Sequence, residues 1–231
     1  MPKENIPSEQ IKKSTKKSVQ RRSKGERTRE KVLLAAIDVL ASNGIKGTTH
    51  RAIANHAELQ LSLTTYYFKD INELVQQAFQ LNSELHRART DIILEKAFST
   101  LDSIDKASLK KAAVKSQLLK QMSEMTANYL FENIQKQSAS LAVEQLMFTS
   151  VKVTPELKKL AKEHEDSQLQ PFTKLAKFFN KKDPEVDARI MWTLFLQLQY
   201  TQLPLNQNER SIKPILEMTT KLLSWVIGVK S

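Results

Sequence analysis

The 231-residue chain is expected to be all-α, and three observations point that way. It holds only four glycines and seven prolines, too few for the turns of a β-rich protein. Ala, Leu, Lys, Gln and Glu, all good helix formers, recur along its whole length. Apolar residues return at helical spacing, and start and stop signals punctuate them.

The elements follow in order. Residues 1–22 are rich in Lys, Ser and Gln and poor in apolar residues, the composition of a basic disordered arm. Order is predicted to begin at Ser23, which with Glu26 has the spacing of a capping box. The first helix carries Val32, Ala36, Val39 and Leu40 on one face and is predicted to end at Gly44. A second helix follows, capped by Thr48 or Thr49, with Ile53, Ala54 and Ala57 as a small apolar face. The pattern breaks around Glu58–Gln60, and a short third helix reads "LSLTTYYF". Asp70 and Glu73 then have the spacing of a second capping box, opening a long helix with Ile71, Leu74, Val75, Ala78, Phe79 and Leu81 apolar. Residues 23–74 thus read as helix, helix, tight turn, short helix: a helix-turn-helix unit.

Beyond it, apolar spacing predicts helices near 108–135, 138–151, 155–179, 184–203 and 211–228. "TPEL" (154–157) and "DPEV" (183–186) each set a capping residue before a proline at the first helical position. Residues 75–231 are expected to form one larger helical domain.

Composition excludes several classes of function. With no cysteine there is no disulfide, thiol nucleophile or thiolate zinc site, and a reducing compartment, the cytoplasm, is the expected location. No stretch approaches the ~20 apolar residues of a membrane span. There is no Gly-rich phosphate loop, HExxH or nucleophile elbow, so no catalytic residue, metal or cofactor is expected. The carboxylates of "EHED" (163–166) and "DPEVD" (183–187) read as solvated helix ends, and His164 as an exposed residue among them. Net charge is +11, of which +7 falls in residues 1–29 and +4 in residues 30–231. A basic tail on a nearly balanced body suits a polyanion, nucleic acid before an acidic membrane.

The stretch "SLTTYYFKD" (62–70) places two of the four tyrosines side by side on a polar segment. Phe68 is the natural core anchor. Tyr66 and Tyr67 are then either half-buried packing residues or outward phenols, useful where a hydroxyl meets a phosphate oxygen and the ring covers the sugar. Together with "TTHRAIANHA" (48–57), this stretch resembles the DNA-binding domain of the TetR/AcrR-type bacterial transcription regulators. The family pattern of Thr-Thr, Ile-Ala, Ala-Gly-Val, a short helix ending in Tyr-His-Phe, then Lys is matched in order. Here it reads Thr48-Thr49, Ile53-Ala54, Ala57-Glu58-Leu59, Tyr66-Tyr67-Phe68 and Lys69, within residues 26–79. Departures are Glu58 in place of Gly, implying a strained turn, and Thr64 in place of Leu, whose core volume Leu63 is expected to fill. Tyr67 stands where His is common, and Leu61 and Leu63 where small or polar residues are usual.

By that resemblance the DNA contacts fall on Thr49, His50, Arg51, Gln60, Leu61, Ser62, Thr65, Tyr66 and Lys69. Thr49, Tyr66 and Lys69 suit phosphates; Arg51 suits guanine or a phosphate; Gln60 suits adenine; Leu61 or the Thr65 methyl suits a thymine methyl. The arm's Lys12, Lys13, Lys16, Lys17, Arg21, Arg22 and Lys24 would follow the backbone or a flanking minor groove.

The resemblance also implies a C-terminal domain that binds a small-molecule effector and forms a homodimer through its last two long helices. "RIMWTLFLQLQYTQL" (189–203) is apolar on too many sides for one buried stripe, as a partner surface or a central helix would be. Met122, Met125, Tyr129, Phe131, Phe148, Trp192 and Phe195 are candidates for an effector pocket or for plain core. The expected function is a repressor released from a palindromic, double-stranded DNA operator by an effector. The alternative is a ligand-independent architectural or scaffold DNA-binding protein on the same fold.

Overall fold

The computed structural model describes residues 23–105, 107–149 and 154–229. The basic arm of residues 1–22 lies outside them. Among the described residues all regular structure is helical: α1 (Lys24–Gly47), α2 (His50–His56), α3 (Leu61–Tyr67), α4 (Ile71–Asp102), α5 (Ala112–Lys136), α6 (Ser138–Thr149), α7 (Pro155–Phe179), α8 (Pro184–Tyr200) and α9 (Ile212–Ile227). A single 3₁₀ turn, Ser108–Lys110, precedes α5. No helix among the described residues is long and apolar enough to cross a membrane.

Local chemistry explains the helix starts. Ser23 caps α1 by accepting from Glu26 N at 3.1 Å, while Glu26 Oε2 accepts from Ser23 N at 2.6 Å. Thr49, not Thr48, caps α2, accepting from Ala52 N at 3.1 Å. Thr48 is buried instead and donates to Gly44 O at 2.8 Å. Gly44 itself sits at φ 66, ψ 179, a conformation open to glycine alone. The chain leaves the helical path there and resumes it for one turn to Gly47.

Three expectations need correcting. Asp70 caps α4 by accepting from Asn72 N and Glu73 N, but the returning arm of Glu73 accepts from Lys69 N at 2.8 Å, one residue before the cap. Asp183 makes no side-chain cap on α8, where Pro184 at the first position suffices to direct the chain. Thr64 is itself fully buried and Leu63 only half-buried. The threonine hydroxyl donates to Leu61 O at 2.8 Å, which removes the cost of burying it.

Two apolar cores organise the chain. The first joins α1 to α2, α3 and the start of α4 through Val32, Leu40, Ile53, Phe68, Leu74 and Phe79. Phe68 is fully buried, worth about 1.5–3 kcal/mol in transfer alone. Val143 and Met147 of α6 and Leu157 of α7 belong to this same cluster. The second core gathers Leu101, Leu118, Leu130, Met191, Phe195 and Leu222 from α4, α5, α8 and α9. The α4 helix runs through residues 74 and 75 without a break and contributes to both.

Candidate nucleic-acid interface and effector cavity

The α2–α3 unit sorts its residues by face. Ile53, Ala54, Ala57, Thr64 and Phe68 point inward and are buried. Thr49, Arg51, Gln60, Leu61, Ser62, Thr65, Tyr66 and Lys69 are all exposed. Only His50, of the nine residues singled out in the sequence, is half-buried, with Nδ1 buried and without a hydrogen-bond partner. Among the described residues neither Arg51 nor Lys69 has an acidic partner.

The two tyrosines divide the roles between them. Tyr66 is 78% exposed. Tyr67 does not point outward with it: it is half-buried against the first core, and a methyl group at Gly25 would lie 3.5 Å from its hydroxyl. The rings meet edge to face at 5.0 Å, so the packed Tyr67 props the free Tyr66. Behind them runs a chain of polar contacts that the sequence did not reveal. Arg29 stacks over the Phe68 ring at 5.2 Å and donates to Gln77 Oε1. Gln77 Nε2 donates to Glu73 Oε1 at 2.9 Å, and Glu73 holds the Lys69 backbone. The turn carrying Lys69 is thereby tied to α1 and α4. The α2–α3 turn is closed by Glu58 at φ 53, the only positive-φ residue other than glycine among the described residues.

Of the seven pocket candidates, Met122, Met125, Tyr129, Trp192 and Phe195 line one cavity of about 60 Å³. Phe131 does not line it. Phe148 lies on the far side of Trp192, 5.7 Å between ring centroids, facing a separate surface groove. The cavity also has a polar wall of His86, Thr90, Gln168 and Gln199 from α4, α7 and α8. Thr90 and Tyr129 share a hydrogen bond of 2.9 Å, and burial raises the Tyr129 pKa. His86 and Thr90 stand four apart on the inward face of α4.

Next to the wall is a buried ionisable cluster. His164 is not an exposed helix-end residue: it is buried, its Nε2 2.6 Å from Glu144 Oε1. Glu163 and Asp166 of the same segment are solvated as expected. Glu144, 1% exposed, also lies 3.8 Å from His86 Nδ1 through its other oxygen, and the two imidazoles pack edge to face. Burial pushes the Glu144 carboxyl up, but His86 and His164 outweigh it and hold the pKa below the usual carboxylate range. Burial pushes the His86 pKa down, against the pull of Glu144. The cluster therefore joins α4, α6 and α7 around one carboxylate. No group of three or more His, Cys, Asp or Glu side chains among the described residues is arranged to hold a metal ion.

The last two helices present an apolar surface. Trp225 on α9 is 67% exposed, Met218 lies two turns before it, and Ile190 on α8 shares a groove with Trp225.

No protein-family model matches the sequence, and no curated protein matches it. Solved structures do match its fold. A protein assigned as a TetR-family transcriptional regulator, from Mesorhizobium loti, is 16% identical with a TM-score of 0.63, over 90% of this chain and 98% of that one. A protein assigned as a transcriptional regulator, from Saccharomonospora viridis and in complex with choline, is 14% identical with a TM-score of 0.62, over 86% and 96%. The multidrug binding protein EbrR, complexed with proflavin, is 21% identical with a TM-score of 0.51, over 84% and 99%. The chain has the all-α fold of the TetR-type regulators.

Proposed function

We propose that the protein is a homodimeric, sequence-specific DNA-binding regulator of transcription in the cytoplasm, a repressor that a small-molecule effector releases from a palindromic operator. One observation carries this reading. The α2–α3 unit presents Arg51 and Lys69, cations without acidic partners among the described residues, beside the exposed Tyr66, on a helix-turn-helix whose other face is packed. A surface of unpaired cations and a free phenol is what phosphates and groove edges require. The capping of α2 by Thr49 and the tethering of Lys69 through Glu73 fix where those groups stand.

Two copies joined through α8 and α9 would set two such units toward half-sites about one DNA turn apart. The exposed Trp225 and Ile190 support that face as the interface. The cavity on α4 supports the effector, as does the binding of proflavin and choline by proteins of the same fold. Because α4 runs from the reading unit to the cavity wall, a ligand that prefers one α4 position would change DNA affinity by differential binding to two states.

Footprinting tests this reading. Purified protein is bound to DNA flanking its own gene, near physiological salt, with excess nonspecific competitor. A two-fold symmetric footprint, lost in Arg51→Ala/Tyr66→Ala, is the expected result. Equal binding of all DNA by wild type and variant would refute it, favour the architectural alternative, and assign the contact to the basic arm. Deleting residues 1–22 separates the arm's share: the salt slope should flatten by about 0.9 per lost phosphate contact.

A further inference from the structure

We propose that the effector is an amphipathic carboxylate, its apolar body in the cavity between α4, α5, α7 and α8 and its carboxylate held by Arg89 at the cavity mouth. This rests on the reading of that cavity as the effector site.

The interior chemistry favours an apolar body. Trp192, Phe172 and Phe195 wall it, and Met122, Met125 and Met191 supply flexible thioethers that can move aside. At about 60 Å³ the cavity holds roughly two waters, too little for an effector. It adjoins a groove of about 440 Å³ between α4 and α5, with Ile93, Met125 and Tyr129 common to both. Together the two spaces fall in the ~300–1,000 Å³ range of small-molecule sites.

The charge of the head group follows from the groove. Arg89, Lys96 and Lys136 line it with a single acid, Glu132, which Lys136 already engages at 2.6 Å. Arg89 is half-buried, beside Tyr129. It donates one hydrogen bond to Ser140 Oγ at 2.9 Å, its Nε is buried without a partner, and no carboxylate among the described residues lies within ion-pair distance. A partly desolvated guanidinium with a spare donor is an incomplete anion site, and its fork matches a carboxylate. A cation finds no unengaged carboxylate in either space. No Asp or Glu lines the cavity, and Glu144, beside His86 of its wall, is held by His164.

The test is calorimetric titration of the full chain with dodecanoate, dodecanol and dodecyltrimethylammonium, each below its micelle-forming concentration and near neutral pH. The carboxylate should bind at least tenfold more tightly than the other two. Arg89→Met should abolish that preference while leaving dodecanol binding unchanged, and Arg89→Lys should retain part of it. An aromatic carboxylate of similar length, run beside dodecanoate, distinguishes an acyl from an aryl body. Equal affinity for all three probes, or preference for the ammonium, would overturn the proposal. So would an unchanged preference in Arg89→Met. If that variant fails to fold, the ranking of the three probes on wild type still decides. Operator binding is measured separately: carboxylate-selective binding by a protein that reads no specific DNA would sink the regulator and leave this site standing.

Discussion

Glu144 is the point at which a single substitution should cost most. Consider Glu144→Leu. The carboxylate is 1% exposed, hydrogen-bonded to His164 Nε2 at 2.6 Å, and faces His86 at 3.8 Å. Leucine has similar bulk, so little of the effect comes from a cavity. The buried His164 Nε2 loses its hydrogen-bond partner, and an orphaned polar group costs about 1–3 kcal/mol. Breaking a buried pair from one side typically costs about 3–5 kcal/mol, a large part of a stability of about 5–15 kcal/mol. For a chain of this size each kcal/mol moves Tm by about 2–4 °C, so the variant should melt roughly 6–20 °C lower. The assay is thermal and urea unfolding followed by far-UV circular dichroism, at one fixed protein concentration because association adds to apparent stability. Glu144→Leu/His164→Leu is the control. With both members of the buried pair replaced by apolar groups, it should recover much of the loss. A single variant within about 1 kcal/mol of wild type would refute the reasoning, as would a double variant as costly as the two singles added.

Other residues make sharper or simpler predictions. Burial lowers the His86 pKa from 6.5, so the unfolded chain takes up this proton first. Its contribution is complete above pH 6.5 and is lost as pH falls below that; Glu144, also lowered, adds a further loss below about 4.5. His86→Gln should therefore flatten the fall of the urea midpoint just below pH 6.5, and parallel curves would contradict the assignment. Glu58→Gly relieves a left-handed backbone at φ 53 and should stabilise by about 0.5–1 kcal/mol in urea; destabilisation would mean the turn is unstrained. Thr49→Ala removes the cap of α2 and should cost about 1 kcal/mol, together with operator affinity beyond what that instability explains. Trp225→Glu should leave the helix content intact and shift the protein to monomer in sedimentation, and a persistent dimer would place the interface elsewhere.

What the sequence could disclose was what neighbouring residues decide among themselves. Ser23 with Glu26, Thr154 before Pro155 and the glycine at position 44 act within a turn or so, and each does its work where its spacing placed it. The inward face of α1 was legible for the same reason. Thr64 was misread because polarity suggests solvent, whereas a hydroxyl satisfied by its own helix can be buried. His164 was misread more seriously. Its neighbours Glu163 and Asp166 are solvated, and nothing nearby discloses that Glu144, on another helix, waits across the interface. The polar wall of the cavity has the same origin. His86, Gln168 and Gln199 meet only once α4, α7 and α8 pack, and a helical period cannot announce a partner on a distant helix. Tyr66 and Tyr67 could not be told apart for a related reason: their fates differ by whether the start of α1 lies beneath the ring.

Val143, Met147 and Leu157 share a cluster with Val32, Leu40 and Phe68. That sharing bears on modularity. A graft of residues 23–74 onto a foreign body would expose the side of α1 that Val143 and Met147 cover, and would tend to aggregate or melt. Recombination, in the laboratory or in descent, must carry the matching surface of α6 along with residues 23–74. If the proposed function holds, surface substitution at α2 and α3 alters DNA specificity, while wholesale exchange works only between bodies whose sixth helices agree.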